Sequence, residues 1–219
     1  MKDAESDDLE LTPELVLRAY GAGVFPMADH AESDEVYWVD PRKRGILPLN
    51  GFRLSRSLRK RLLRPDHRVR IDTAFEEVLD ACADRPETWI NGTIRTLFVQ
   101  LYHMGHAHTV EVWQDGELVG GLYGLGLGGA FFGESMFSRV RDGSKIALAH
   151  LVARLRAGGF TLLDTQFTTP HLESLGARAV PRSYYHDLLA RALAGRGDFY
   201  SLGAEVATAD VVQLITQRS

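Results

Sequence analysis

Between Thr109 and Gln166 the chain passes through apolar segments whose order admits few architectures. Thr109-Val110-Glu111-Val112-Trp113 alternates with the period of a half-buried strand. Asp115-Gly116 supplies a tight turn, and Leu118 to Leu125 returns along the first strand. Ala130 to Phe137 reads as a third strand, Ser144 to Ala157 as a helix closed by Gly158-Gly159, and Phe160 to Gln166 as a buried strand. A short helix (Pro170 to Leu175), a strand (Ala177 to Val180) and a last long helix (Tyr184 to Leu193) follow. A meander followed by strand–helix–strand crossovers predicts an α/β fold with a mixed sheet covered by helices on both faces.

The segment before this is looser. Thr12-Pro13-Glu14 has the pattern of a helix start: a threonine cap, proline in the first turn, then an acid. The helix runs to Tyr20 and stops at Gly21 and Gly23. A polar loop covers Asp29 to Glu35, and short strands at Tyr37-Trp38 and Ile46-Leu47-Pro48 flank the turn Asp40-Pro41-Arg42. The expected organisation is a small N-terminal domain over residues 1–52, with the acidic residues 1–10 disordered, and a larger domain over 53–219. In the latter, Ser55 to Leu63 reads as a basic helix and Val69 to Ile71 as a strand. Ala74 to Ala83 is an amphipathic helix, and another, capped by Asn91, runs to Met104.

Net charge is −4, yet Arg53, Arg56, Arg59, Lys60, Arg61, Arg64, Arg68 and Arg70 cluster with Asp66 as the only acid among them. This is either a solvated helix face or a docking surface for an anionic partner. The single cysteine, Cys82, excludes an internal disulfide, and no apolar run approaches the roughly 20 residues of a membrane helix. The first ten residues lack a secretory pattern. A soluble cytoplasmic protein with no membrane partner is expected.

Two strings carry candidate chemistry. Leu162-Leu163-Asp164-Thr165-Gln166 ends one buried strand with a carboxylate and a carboxamide two residues apart, which regular alternation turns to one side. Gly133-Glu134-Ser135-Met136-Phe137-Ser138 sets a carboxylate at the end of another. Asp164 and Gln166 suit the handling of an amine, with Asp164 orienting Gln166; a strand-end cap and a surface amide are the alternative. Glu134 either receives a cationic group of a substrate or pairs with a cation of the protein, for which Arg139 is at hand. Tyr37-Trp38 offers an aromatic face for a base. The three histidines His103, His106 and His108 lack a second ligand cluster, so no metal is expected. The segment Arg139-Val140-Arg141-Asp142-Gly143-Ser144-Lys145 precedes the long helix, where acetyl-CoA enzymes carry a glycine-rich pyrophosphate loop. Asp142 falls on a required glycine and would repel a pyrophosphate.

The strand–helix order is that of the acetyltransferase superfamily, and the motifs narrow it further. Tyr20-Gly21-Ala22-Gly23-Val24-Phe25-Pro26, Asp40-Pro41-Arg42, Thr88-Trp89-Ile90, Gly105-His106-Ala107-His108, Glu111-Val112-Trp113, Gly133 to Ser138 and Asp164-x-Gln166 are present together. On these the chain closely resembles the bacterial leucyl/phenylalanyl-tRNA–protein transferases over residues 11–195. The resemblance implies a small N-terminal domain joined to an acetyltransferase-like (GNAT-type) domain, with no cofactor and no metal. It implies transfer of Leu or Phe, less well Met, from Leu-, Phe- or Met-tRNA to the N-terminal amine of proteins beginning with Arg or Lys, which marks them for N-degron degradation. It implies Asp164 and Gln166 as the catalytic pair and Glu134 as the acceptor-peptide residue. Trp38, Trp89, Phe98 and Phe131 would lie around the adenosine and aminoacyl end, with Leu122, Leu151 and Leu155 shaping the side-chain pocket. Arg56, Arg59, Lys60, Arg61 and Arg64 would hold the tRNA backbone. Better-known members have Tyr where Phe98 stands, Met for Leu122, and Phe for Leu151 and Leu155. Such exchanges are worth about 1–3 kcal/mol of side-chain discrimination.

Overall fold

A computed structural model describes residues 11–204 and 206–217. The expected disorder of residues 1–10 lies outside the described residues. Helix α1 (Pro13–Gly21) begins where the sequence predicts: the Thr12 hydroxyl accepts the Leu15 N–H at 3.3 Å. Strands β1 (Phe25–Met27) and β2 (Tyr37–Val39) form a two-stranded antiparallel ribbon. The chain continues through β3 (Lys43–Ile46), α2 (Arg56–Leu62), β4 (Arg68–Ile71), α3 (Phe75–Ala83) and α4 (Gly92–His103). The meander follows as β5 (Ala107–Gln114), β6 (Glu117–Leu127) and β7 (Ala130–Ser138), then α5 (Gly143–Ala157), β8 (Leu162–Gln166), α6 (Pro170–Ser174), β9 (Arg178–Pro181), α7 (Arg182–Leu193) and α8 (Thr208–Thr216).

Seven strands form one sheet in the order β4-β5-β6-β7-β8-β3-β9. Only β7 and β8 are parallel, as the crossover through α5 requires. Their pairing runs from Ala130↔Leu162 to Phe132↔Asp164 and stops there, while β7 continues to Ser138. The two strands therefore splay, and a gap opens at Glu134 and Gln166. Strand β3, from the loop-rich first segment, is hydrogen-bonded between β8 and β9.

Alternation along the strands feeds two cores. Phe131, Leu163, Val110 and Val112 join α2, α5 and α8 on one face; Ala130, Phe132 and Leu162 join α1, α3, α4 and α7 on the other. Helix α8 is not anticipated by the sequence reading. It lies on α5, where Arg156 donates to the carbonyls of Ile215 (2.9 Å) and Gln217 (2.6 Å). Arg154 holds the approach to α8 through the carbonyls of Phe199 and Gly203. No helix of the described residues is long and apolar enough to cross a membrane.

Candidate active site

Strand β8 does not reach its end as a regular strand. Opposite it, Gly45 pairs with Gln166 and Ile46 with Asp164, so Thr165 is an extra residue in a bulge. Gln166 adopts φ +51°, a left-handed conformation uncommon outside glycine. The bulge also explains Gly45: a Cβ there would lie 2.6 Å from the Phe167 carbonyl.

The bulge separates the two side chains that regular alternation would send to one side. Asp164 points into the protein and has no exposed surface. Its Oδ1 accepts Arg44 Nε (3.0 Å) and the Gln166 backbone N–H (2.8 Å); its Oδ2 accepts Arg44 Nη2 (2.7 Å) and the Tyr185 hydroxyl (2.7 Å). Asp164 thus meets Gln166 through the backbone, not through the carboxamide. Arg44 is equally buried, donates to the Gly23 carbonyl at 2.9 Å, and lies between the rings of Phe25 (4.4 Å) and Tyr185 (4.5 Å). Burial alone would lower its guanidinium, but hydrogen bonds and charge from Asp164 raise it above its ordinary value.

The Gln166 side chain turns into the gap. Its Nε2 donates to Glu134 Oε1 at 3.0 Å, which leaves the amide oxygen without a partner among the described residues. Glu134 is half-buried. Removal from water pushes its carboxyl up to about 8, Asp164 adds to the rise, and Tyr20, Arg44 and Gln166 oppose it. Burial and the neighbouring Glu134 charge raise the Tyr20 and Tyr123 hydroxyls well above their ordinary values. Arg139 is not the partner of Glu134: it donates to the Leu118 carbonyl and lies over Phe137.

Glu134 and Gln166 form the floor of a cleft of about 320 Å³ walled by Phe25, Met27, Trp89 and Phe167, with Arg85 and His171 at its sides. A smaller apolar cavity of about 80 Å³ shares Glu134, Ser135, Met136, Thr165 and Leu172 with the cleft. It continues between the splayed strands to Leu122, Leu148, Leu151 and Leu163. A polar floor with a free amide acceptor, beside an apolar recess, can hold an amine against a reacting carbon that carries an apolar side chain.

Of the residues expected around the aminoacyl end, Trp89 lines the cleft, and Leu122 and Leu151 line the recess. Phe98 is packed edge-on to Tyr123, Phe131 is stacked on Phe199 at 5.6 Å, and Leu155 is buried in α5; none lines either space. Trp38 is exposed on β2 opposite Pro26, and it is Phe25 and Met27 of β1 that line the cleft. Arg56, Arg59, Lys60 and Arg64 are exposed and make no ion pair among the described residues, whereas Arg61 is bound to Asp66 at 2.6 Å. Asp142 opens α5 at φ +66° and pairs with Lys145 at 2.9 Å.

Sequence reasoning missed Arg44, Phe25 and Met27. The signal for Arg44 was a charge at the head of the apolar run Gly45-Ile46-Leu47, where a buried cation requires a buried anion. Among the described residues no group of three or more His, Cys, Asp or Glu is placed to hold a metal ion.

Residues 46–190 match the family model described as leucyl/phenylalanyl-tRNA protein transferase, and residues 10–42 match that family's N-terminal domain. A leucyl/phenylalanyl-tRNA–protein transferase of Ruegeria pomeroyi is 57% identical over 96% of this chain and 100% of its own length. One of Paramagnetospirillum magneticum is 62% identical over 84% of this chain and 90% of its own. Among solved structures, FemX superposes with a TM-score of 0.52 at 12% identity, covering 77% of this chain and 66% of that one, a likeness of fold alone. Matched in both segments and over nearly its whole length, the chain belongs to the leucyl/phenylalanyl-tRNA–protein transferase family of aminoacyltransferases.

Proposed function

We propose that this chain transfers Leu or Phe, and less readily Met, from aminoacyl-tRNA to the α-amine of proteins that begin with Arg or Lys, and so marks them for N-degron degradation in the cytoplasm. The observation that carries this reading is the joint floor of Glu134 and Gln166 beside the apolar recess. The donor is an ester between the amino acid and the ribose of the tRNA's terminal adenosine. Its carbonyl carbon is attacked by the neutral amine: a C–N bond forms, the C–O bond to the ribose breaks, and the amine's proton leaves with the ribose oxygen. An ester is already activated, so the protein's task is placement. The Gln166 amide oxygen accepts an N–H of the amine and favours the charge the nitrogen gains on attack. Glu134 meets the cationic side chain of the acceptor's first residue, whose charge favours the ionised carboxylate over the protonated form that burial favours in the empty cleft. The recess lined by Leu122 and Leu151 takes the Leu or Phe side chain, with Trp89, Phe25 and Phe167 as stacking faces for the terminal adenosine. The exposed cations of α2 hold the acceptor stem through phosphates. The experiment is transfer of labelled Leu from charged tRNA onto a protein with N-terminal Arg, with N-terminal Ser as control. Label on the first and none on the second is expected; no label with pure protein refutes the reading.

A further inference from the structure

We infer that Arg44 is a positioning residue for transfer: acting through Asp164, it fixes the left-handed backbone of Gln166 and thereby the direction in which the Gln166 amide enters the cleft. The inference rests on the reading of the cleft as the transfer site. Four observations carry it. The Asp164 carboxylate is occupied on both oxygens, by the forked guanidinium, the Tyr185 hydroxyl and the Gln166 N–H. It neither lines the cleft nor offers an oxygen to a substrate, so it cannot take the amine's proton. The bulge leaves Gln166 in a conformation that the chain does not hold by local preference, and the Asp164 hydrogen bond to its N–H is what maintains it. Arg44 in turn contacts two rings and donates to the Gly23 carbonyl, so an unbroken series of contacts runs from just beyond α1 to the cleft floor. The pair Asp164–Gln166 therefore divides: Gln166 touches substrate, while Arg44 and Asp164 set its geometry. A lysine cannot replace Arg44, because a point charge lacks the fork that engages both carboxylate oxygens.

The test compares Arg44→Lys with the natural chain, each alone and combined with Gln166→Ala. In the natural background kcat should fall at least tenfold while the Kd for Leu-tRNA changes less than threefold. In the Gln166→Ala background, where no amide remains to be aimed, Arg44→Lys should change the residual kcat by less than twofold. Equal losses in both backgrounds would make Arg44 a residue of general stability and overturn the inference. Hydrogen exchange reads the same point without activity: the Gln166 N–H should lose protection more than tenfold in Arg44→Lys while β5 and β6 keep theirs, and unchanged protection at Gln166 refutes the inference. Tyr185→Phe, which removes one bond to Asp164, supplies a milder variant if Arg44→Lys does not fold. A natural chain that transfers no Leu sinks the functional reading and this one together; a natural chain that transfers while Arg44→Lys is unimpaired sinks only this one.

Discussion

Replacing Glu134 by Gln removes a titrating group from the cleft floor while keeping an oxygen for the Gln166 Nε2 bond. In the folded protein the Glu134 carboxyl is held at about 8 against an ordinary value of 4.5, chiefly because burial disfavours the charged form. Between those two values the folded chain binds a proton that the unfolded chain has released. Stability from this group is thus fully present below about pH 4.5 and is lost as pH rises toward 8. One proton gives a slope of about 1.4 kcal/mol per pH unit, so across the window the loss amounts to a few kcal/mol. Urea unfolding of both proteins at intervals from pH 5 to pH 8.5 yields the difference directly, since groups common to both cancel. The natural chain should lose stability relative to Glu134→Gln at every step until pH 8 and then run level with it. Parallel curves from pH 5 to pH 8 would show that Glu134 carries no extra proton, and the electrostatic account of the floor would fall. Activity offers a second view: the acceptor's own amine ionises near pH 8, at about 7.7–8.0. The natural enzyme should therefore lose kcat/KM for acceptor on acidification through two groups, and Glu134→Gln through one.

Reversing Arg56, Arg59 and Lys60 to glutamate should weaken tRNA binding and flatten the plot of log Kd against log salt by about 2–3 units, at roughly 0.9 for each phosphate no longer neutralised; an unaltered slope places the tRNA elsewhere. Leu151→Ala enlarges the recess and should move the preference between Phe- and Leu-tRNA toward Phe by about tenfold, within the 1–3 kcal/mol that pocket shape commands; an unchanged ratio of kcat/KM values removes Leu151 from the pocket. Gly45→Ala forces a methyl against the Phe167 carbonyl and should cost about 1–3 kcal/mol in thermal unfolding, with a larger proportional loss of transfer. A protein of natural melting temperature and activity would show that the bulge tolerates a side chain.

The stretch from Thr109 to Leu193 was legible because its signals are local. Alternation, the Asp115-Gly116 turn and the glycines after α5 each specify their own neighbourhood, and the helix expected from Ser144 is observed from Gly143. What was not legible depends on partners far away in sequence. Strand β3 looks like a loop-flanked fragment, and nothing near it says that it inserts between β8 and β9. The bulge at Thr165 arises from that pairing, so the expectation that Asp164 and Gln166 share one space failed where regular alternation was interrupted. That Glu134 and Gln166 meet where β7 and β8 splay follows from the parallel pairing of those strands, which stops at Phe132 and Asp164. Helix α8 escaped notice because its apolar residues, Val211, Val212 and Ile215, gain meaning only against α5.

The insertion of β3 also governs when the protein can first work. Arg44 and Asp164 are 120 residues apart, and at about 5–20 residues per second a ribosome takes roughly 6–24 s to make the second after the first. Until then the nascent chain carries a cationic strand with no anion and no neighbouring strands on either edge. The cleft between Glu134 and Gln166 is therefore among the last features to assemble during synthesis, and a chain released before β8 carries the exposed cations of α2 without the cleft.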